Sequence, residues 1–207
     1  MITARDALER LREGNARFVS HIQRGEDLVS QAHGVKLVGD QAPFAVILGC
    51  SDSRVPAELV FDQGLGDLFV IRVAGNVVAP SQIGSVEFAA EQFGTRLIVV
   101  LGHTRCGAVQ ATVDALENPD NEHSANIGSI VDRIRPAIRT LFESPIAEDR
   151  DRLIALAVRA NVRASVNVLR CSSKILERLM ETDGLQIVGA EYALESGKVE
   201  FLEDAAR

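Results

Sequence analysis

Two short clusters carry residue types that can act together chemically. The first is Cys50-Ser51-Asp52-Ser53-Arg54, and the second is His103-Thr104-Arg105-Cys106-Gly107. Two thiolates and one imidazole form a soft to borderline donor set, which suits Zn2+ in tetrahedral coordination. A His-x-x-Cys spacing at a strand-to-helix turn can aim both side chains at one ion. Asp52, two residues beyond Cys50, offers a fourth ligand. Either cluster alone says little. A Cys at a strand end is more often core than ligand, and an isolated Asp52–Arg54 pair would be an ordinary exposed ion pair worth little. A structural zinc is an alternative, but such sites use closed Cys/His sets that often staple small domains. A chain of 207 residues has room for a core of its own. Three strong ligands plus one exchangeable position fit a catalytic ion better.

Both clusters follow buried strands. Residues 44–49 and 97–102 are short apolar runs typical of strands covered on both faces, and 68–73 and 185–190 read the same way. Segments 192–194 and 198–202 flank Glu195-Ser196-Gly197, which predicts a closing hairpin. Thr3 with Asp6 forms an acidic variant of a capping box, opening a helix to about Val19 with Ala7, Leu8, Leu11 and Phe18 on one face. Residues 20–43 read as an irregular arm, and helices are expected over 81–93, 106–116, 125–142 and 150–181. The predicted fold is α/β: a mainly parallel central sheet of four strands plus a C-terminal antiparallel strand, flanked by helices. The whole chain, 1–207, reads as one domain, with 1–40 as an N-terminal helical arm. Parallel sheets bind ligands beyond the carboxyl ends of their strands, where the connection direction reverses. If 44–49 and 97–102 are neighbours, Cys50, His103 and Cys106 meet in one crevice.

Composition narrows the possibilities. The net charge of −7 repels phosphate backbones and excludes general nucleic-acid binding. Three Cys are too few for a disulfide scaffold, and Cys171, within a helical pattern, reads as a buried or half-buried helix cysteine. No apolar run approaches the roughly 18 residues of a membrane span, and the first residues do not form a signal peptide, so a reducing cytoplasm is expected. His21, His33 and His123 lie in polar segments and read as surface residues. Gly64 and Gly66 lack the downstream pattern of a dinucleotide loop.

The two clusters resemble those of the β-class carbonic anhydrases. The likeness extends through Asp62-Gln-Gly-Leu-Gly-Asp-Leu-Phe-Val-Ile-Arg-Val-Ala-Gly-Asn76 and Gly84-Ser-Val-Glu-Phe-Ala89, and covers about residues 4–202. It implies reversible hydration of CO2 to bicarbonate by attack of zinc-bound hydroxide, with one Zn2+ per subunit on Cys50, His103 and Cys106. It implies that Asp52 either pairs with Arg54 and orients the nucleophile, or swings onto the metal in a closed state. It assigns Gln41, Phe69, Ala74, Phe88 and Gly107 to the substrate pocket. It also implies a homodimer, possibly a tetramer, with the N-terminal helix wrapping a partner. Some members bind bicarbonate as an effector through a Trp, an Arg and a Tyr. Arg72 and Tyr192 match two of these positions, but the third falls at Ile47, so that pocket is incomplete. Two thiolates donate more charge than imidazoles, so activity is expected to favour neutral to alkaline pH. A CS2 or COS hydrolase on the same scaffold and a catalytically silent zinc-binding assembly protein are the alternatives.

Overall fold

The computed structural model describes residues 2–24, 41–120 and 123–202. Five strands form its centre: β1 (Ala45–Gly49), β2 (Leu68–Arg72), β3 (Leu97–His103), β4 (Gln186–Tyr192) and β5 (Val199–Leu202), in the order β2-β1-β3-β4-β5. The first four pair in parallel and β5 runs antiparallel to β4. This is the α/β sheet expected from the sequence. Seven α-helices lie among the described residues: α1 (Ala4–Arg24), α2 (Ala57–Val60), α3 (Pro80–Gln92), α4 (Gly107–Glu117), α5 (Ala125–Phe142), α6 (Arg150–Cys171) and α7 (Lys174–Thr182).

The continuous apolar character of β1 and β3 follows from their position, because both faces of each strand are covered. Side chains alternate along a strand. Ile47, Val99 and Leu101 join one layer with α1 and α2, whereas Val46, Leu48, Ile98 and Val100 join the opposite layer with α3, α6 and α7. A third cluster, at the carboxyl end of the sheet, packs Cys50 and Cys106 with Val109, Ile134, Ile138 and Leu153 of α4, α5 and α6.

Several boundaries differ from the sequence-based expectation. The first helix continues past Val19 to Arg24, because its next turn still has something to cover: Phe18 and Ile22 both lie over Gly197 in the β4–β5 turn. Residues 25–40 of the expected irregular arm, His33 among them, lie outside the described residues. On its inner face α1 buries Ala4, Ala7, Leu11 and Phe18 against the sheet of its own chain. The expected 150–181 helix is two helices. It breaks at Ser172–Ser173, where the Ser173 hydroxyl accepts from Leu176 N (3.2 Å) and so caps α7. Tyr192 completes β4 rather than opening a separate hairpin arm. The short α2 was not anticipated.

Candidate metal centre

The chain leaves β1 to build β2 on one side, and β3 pairs with β1 on the other. This places the reversal point at the carboxyl ends of β1 and β3. Gly49 is in register with Leu101, so Cys50 lies beside Gly102 and His103. His103 ends β3, and Cys106 is the N-cap of α4. Between them Arg105 takes a left-handed backbone (φ 56°), which turns the chain sharply enough to return Cys106 to the same point. The ligating atoms of Cys50, His103 and Cys106 all lie within 4.8 Å of one another, and all three residues are buried.

These donors fit a zinc ion. His103 Nδ1 is 2.9 Å from Thr104 O, a contact that requires its proton there and leaves Nε2 as the free lone pair. Nε2 is buried without a hydrogen-bond partner among the described residues. An orphaned acceptor on a buried ring is costly unless something else meets it. The two thiols divide their protonation unequally. A hydrogen bond from Cys106 stabilises the Cys50 thiolate and, with help from the Gly75 amide, outweighs burial and pulls that thiol down to about 4. Cys106 is pushed up by the same bond and by its burial. A metal ion would replace the proton held between them. The Gly75 N–H donates to Cys50 Sγ at 3.4 Å.

Asp52 faces the cluster from the next turn. Arg54 grips it through Nε to Oδ1 (2.9 Å) and Nη2 to Oδ2 (2.7 Å), while Arg54 N also donates to Oδ1 (3.0 Å). This fork holds the carboxyl well below the usual carboxylate range. Asp52 Oδ2 lies 3.8 Å from His103 Nε2, so the carboxylate borders the metal position. Arg72 fixes the loop beneath by donating to the carbonyls of Cys50 (3.1 Å) and Asp52 (2.6 Å).

The other residues singled out from the sequence fall into two groups. Ala74, half-buried in a 3-10 turn, and Gly107, the first residue of α4, flank the ligand cluster. Gln41, Phe69 and Phe88 do not. Gln41 precedes β1 and is exposed, at the opposite end of the strand from Cys50. Phe69 is in register with Val46, four residues before Cys50 and hence on the order of 13 Å away along the strand. There it meets the rings of Phe88 and Phe93. Of the three effector positions, Ile47 and Tyr192 lie in the buried layer under α1, and Arg72 is engaged with the two loop carbonyls. Cys171 is exposed rather than buried, because it is the last residue of α6 and lies off the face that the helix packs inward; His123 is exposed and His21 lies on α1. Sequence reasoning overlooked Asn161 and Ser165 of α6. They donate to Gly75 O (2.8 Å) and Asn76 O (3.0 Å), the turn that serves Cys50. Their spacing of four residues within an apolar helix face was the available signal.

A mainly parallel sheet of this order carries a buried Cys-His-Cys cluster at its reversal point, a donor set that suits a zinc ion. Residues 45–199 match the family model described as carbonic anhydrase. "Carbonic anhydrase 2" of Mycobacterium tuberculosis is 37% identical over 198 residues, covering 93% of this chain and 89% of that protein. A β-carbonic anhydrase from Aspergillus fumigatus superposes with a TM-score of 0.71 at 27% identity, covering 98% of this chain and 91% of the other. A tetrameric β-carbonic anhydrase from Sordaria macrospora shares the fold, with a TM-score of 0.74 at 23% identity over 90% of this chain and 94% of that one. The chain belongs to the β-carbonic anhydrase family. It is a zinc-dependent carbonic anhydrase, a lyase for the reversible hydration of CO2 to bicarbonate.

Proposed function

We propose that Cys50, His103 and Cys106 hold one Zn2+ per subunit, and that Asp52 and Arg54 are the catalytic pair. Bound zinc supplies the Lewis acidity that makes hydroxide available near neutral pH, for which carbonic anhydrases are the standard example. The observation that carries the reading is the Asp52–Arg54 fork beside His103 Nε2. Gripped by Arg54, Asp52 stays ionised, and an ionised carboxylate only accepts hydrogen bonds. It therefore takes the O–H of the attacking oxygen and leaves that oxygen's lone pair for CO2. Arg54 holds Asp52 away from the metal position; release of the fork would let Asp52 close the site. Ala74 and Gly107 adjoin Gly75 and Cys106 in the chain, and Val77 and Val109 pack with Cys50 and Cys106 in an apolar cluster that keeps the site dry.

The substrate pocket assigned by family likeness needs Gln41, Phe69 and Phe88, which sit at the far end of the sheet in their own chain. They can serve a pocket only across a subunit boundary. This supports a homo-oligomer, dimer or tetramer, in which one subunit lends these residues to another and the outer face of the 1–40 arm rests on a partner. Phe88 is half exposed although it is a large aromatic, as a residue awaiting such a partner would be. No helix among the described residues is long and apolar enough to cross a membrane, and no nucleic-acid partner suits a net charge of −7. Three free cysteines favour the reducing cytoplasm as its compartment. The effector reading of Arg72 and Tyr192 is weakened by Ile47 and by the hydrogen bonds that already occupy Arg72. The comparisons favour neither a CS2 or COS hydrolase nor a silent zinc-binding protein.

Asp52→Asn tests the catalytic assignment. The amide keeps the shape but turns one acceptor into a donor. Stopped-flow CO2 hydration should fall by about two orders of magnitude while zinc content is retained. An unchanged rate would remove Asp52 from the reaction.

A further inference from the structure

The Cys50 thiolate receives one backbone hydrogen bond from outside its own loop, from Gly75 N. That amide points at the sulfur because two successive residues adopt left-handed backbone, Gly75 at φ 68° and Asn76 at φ 44°. Only Gly takes this conformation freely, and Asn tolerates it. The turn also buries the carbonyls of both residues. Each is met by one side chain of α6: Asn161 Nδ2 donates to Gly75 O at 2.8 Å, and Ser165 Oγ donates to Asn76 O at 3.0 Å. Both donors are almost fully buried, at 2% and 4% exposure, and every other buried residue of α6 is apolar, Val158, Val162 and Val166 among them. Two polar side chains in such a face are tolerated only when bonded, and both bonds converge on one turn.

We propose that Asn161 and Ser165 are positioning residues for the metal centre: they lock the 74–76 turn so that Gly75 N–H stays aimed at the Cys50 thiolate. The inference rests on Cys50 being a zinc ligand. An N–H bond to a thiolate withdraws charge from the sulfur and fixes its direction. Both effects set how tightly the site holds zinc and how much charge the metal receives. Partners of metal ligands typically influence affinity by about 10–100-fold.

The test uses the full-length protein, loaded with zinc alone and, in parallel, with cobalt. Asn161→Asp keeps the side-chain shape and loses the donor; Ser165→Ala loses the hydroxyl; Ser165→Thr keeps it. Val166→Ala, on the same helix and buried but not bonded to the turn, reports general loosening. Zinc affinity is read by competition with a chromophoric chelator, and the sulfur-to-cobalt charge-transfer band reports charge on the thiolate. Asn161→Asp and Ser165→Ala should weaken zinc binding by about 10–100-fold and shift the band, with Ser165→Thr and Val166→Ala close to the parent. The proposal is overturned if Asn161→Asp and Ser165→Ala hold zinc as the parent does with an unshifted band, or if Val166→Ala weakens binding equally. Should Asn161→Asp fail to fold, the Ser165→Ala and Ser165→Thr pair decides the matter alone. A parent protein that binds no zinc would instead refute the ligand assignment itself.

Discussion

Gly75→Ala isolates how much the metal-site turn demands of its backbone. Gly75 has φ 68°, and a Cβ built there would meet Ile134 Cδ1 at 2.8 Å and Ala108 Cβ at 2.9 Å. The left-handed conformation costs a residue with a Cβ about 1–2 kcal/mol. Forcing a methyl group into a packed site costs about 1–3 kcal/mol more. Together the substitution should remove roughly 2–5 kcal/mol from a domain stability of about 5–15 kcal/mol. For a chain of this size that is a drop in Tm on the order of 5–20 °C. Gly128→Ala is the contrast, because Gly128 lies inside α5, has no positive φ and would place its Cβ in open space. There the exchange should be neutral or stabilising, by up to about 1 kcal/mol. Urea unfolding of the zinc-loaded proteins at one fixed protein concentration measures both. A Gly75→Ala midpoint no lower than that of Gly128→Ala would refute both the clash and the backbone argument.

Other consequences follow from the same geometry. Cys106→Ser should lower bound zinc well below one ion per chain by elemental analysis, because a serine hydroxyl is a poor substitute for a thiolate; full stoichiometry would take Cys106 out of the ligand set. Asn15→Ala should cost roughly 2–4 kcal/mol in urea unfolding, because buried Asn15 donates to Val60 O (3.0 Å) and Gly197 O (2.9 Å) and accepts from Val199 N (2.8 Å). Hydrogen bonds from Arg159 hold the Glu200 carboxyl below its ordinary range, so its contribution is present above the unfolded pKa and is lost as pH falls through the folded one. Glu200→Gln should therefore lose stability at neutral pH and show a flatter acid limb in denaturation followed from pH 7 to pH 3.

The ligand set was legible in the sequence because its chemistry restricts residue types so tightly. Two Cys and one His can be recognised as donors without coordinates, and the apolar runs before Cys50 and His103 declare buried strands whose carboxyl ends must lie close if adjacent. Helix limits were less legible, since they depend on what the helix end touches. Arg24 is helical because Ile22 still has Gly197 to cover, and 150–181 divides because Ser173 caps the second part. Asn161 and Ser165 were only weakly legible for a related reason: their spacing of four marks a shared helix face but not what that face meets. In sequence, an Asn and a Ser on a helix look the same facing solvent or facing a buried turn. The left-handed pair at Gly75–Asn76 and the left-handed Arg105 likewise leave no signal in composition. Gln41, Phe69 and Phe88 were named by likeness alone. Gln41 lies before the 44–49 run that Cys50 follows, and Phe69 near the start of the 68–73 run, so the strands already set them apart from Cys50 and the register fixes by how much.

Among the described residues, two of the three non-glycine residues with positive φ, Asn76 and Arg105, lie at this centre, and the third, Asp62, lies elsewhere. Gly75, Asn76 and Arg105 are all left-handed, and all lie in the two turns that deliver a ligand or a hydrogen bond to one. Such conformations persist only where surrounding bonds over-determine them. Those bonds come from different parts of the fold. The Gly75–Asn76 turn is held by α6. The His103–Cys106 turn is held from the β4–β5 hairpin, through Thr104 N to Tyr192 O (3.0 Å), Thr104 Oγ1 to Glu195 (3.0 Å) and the Arg105–Glu195 ion pair (2.9 Å). The Cys50 loop is held from β2, through Arg72. Each donor is thus fixed by an element other than the one that carries it. A loop anchored only at its own ends would be free to follow the metal. One anchored from a neighbouring strand or helix keeps its donors in place and makes the ion conform to the protein. On this argument the sheet order matters to the chemistry as much as the three ligands do, because it brings β2, α6 and the hairpin within reach of one reversal point.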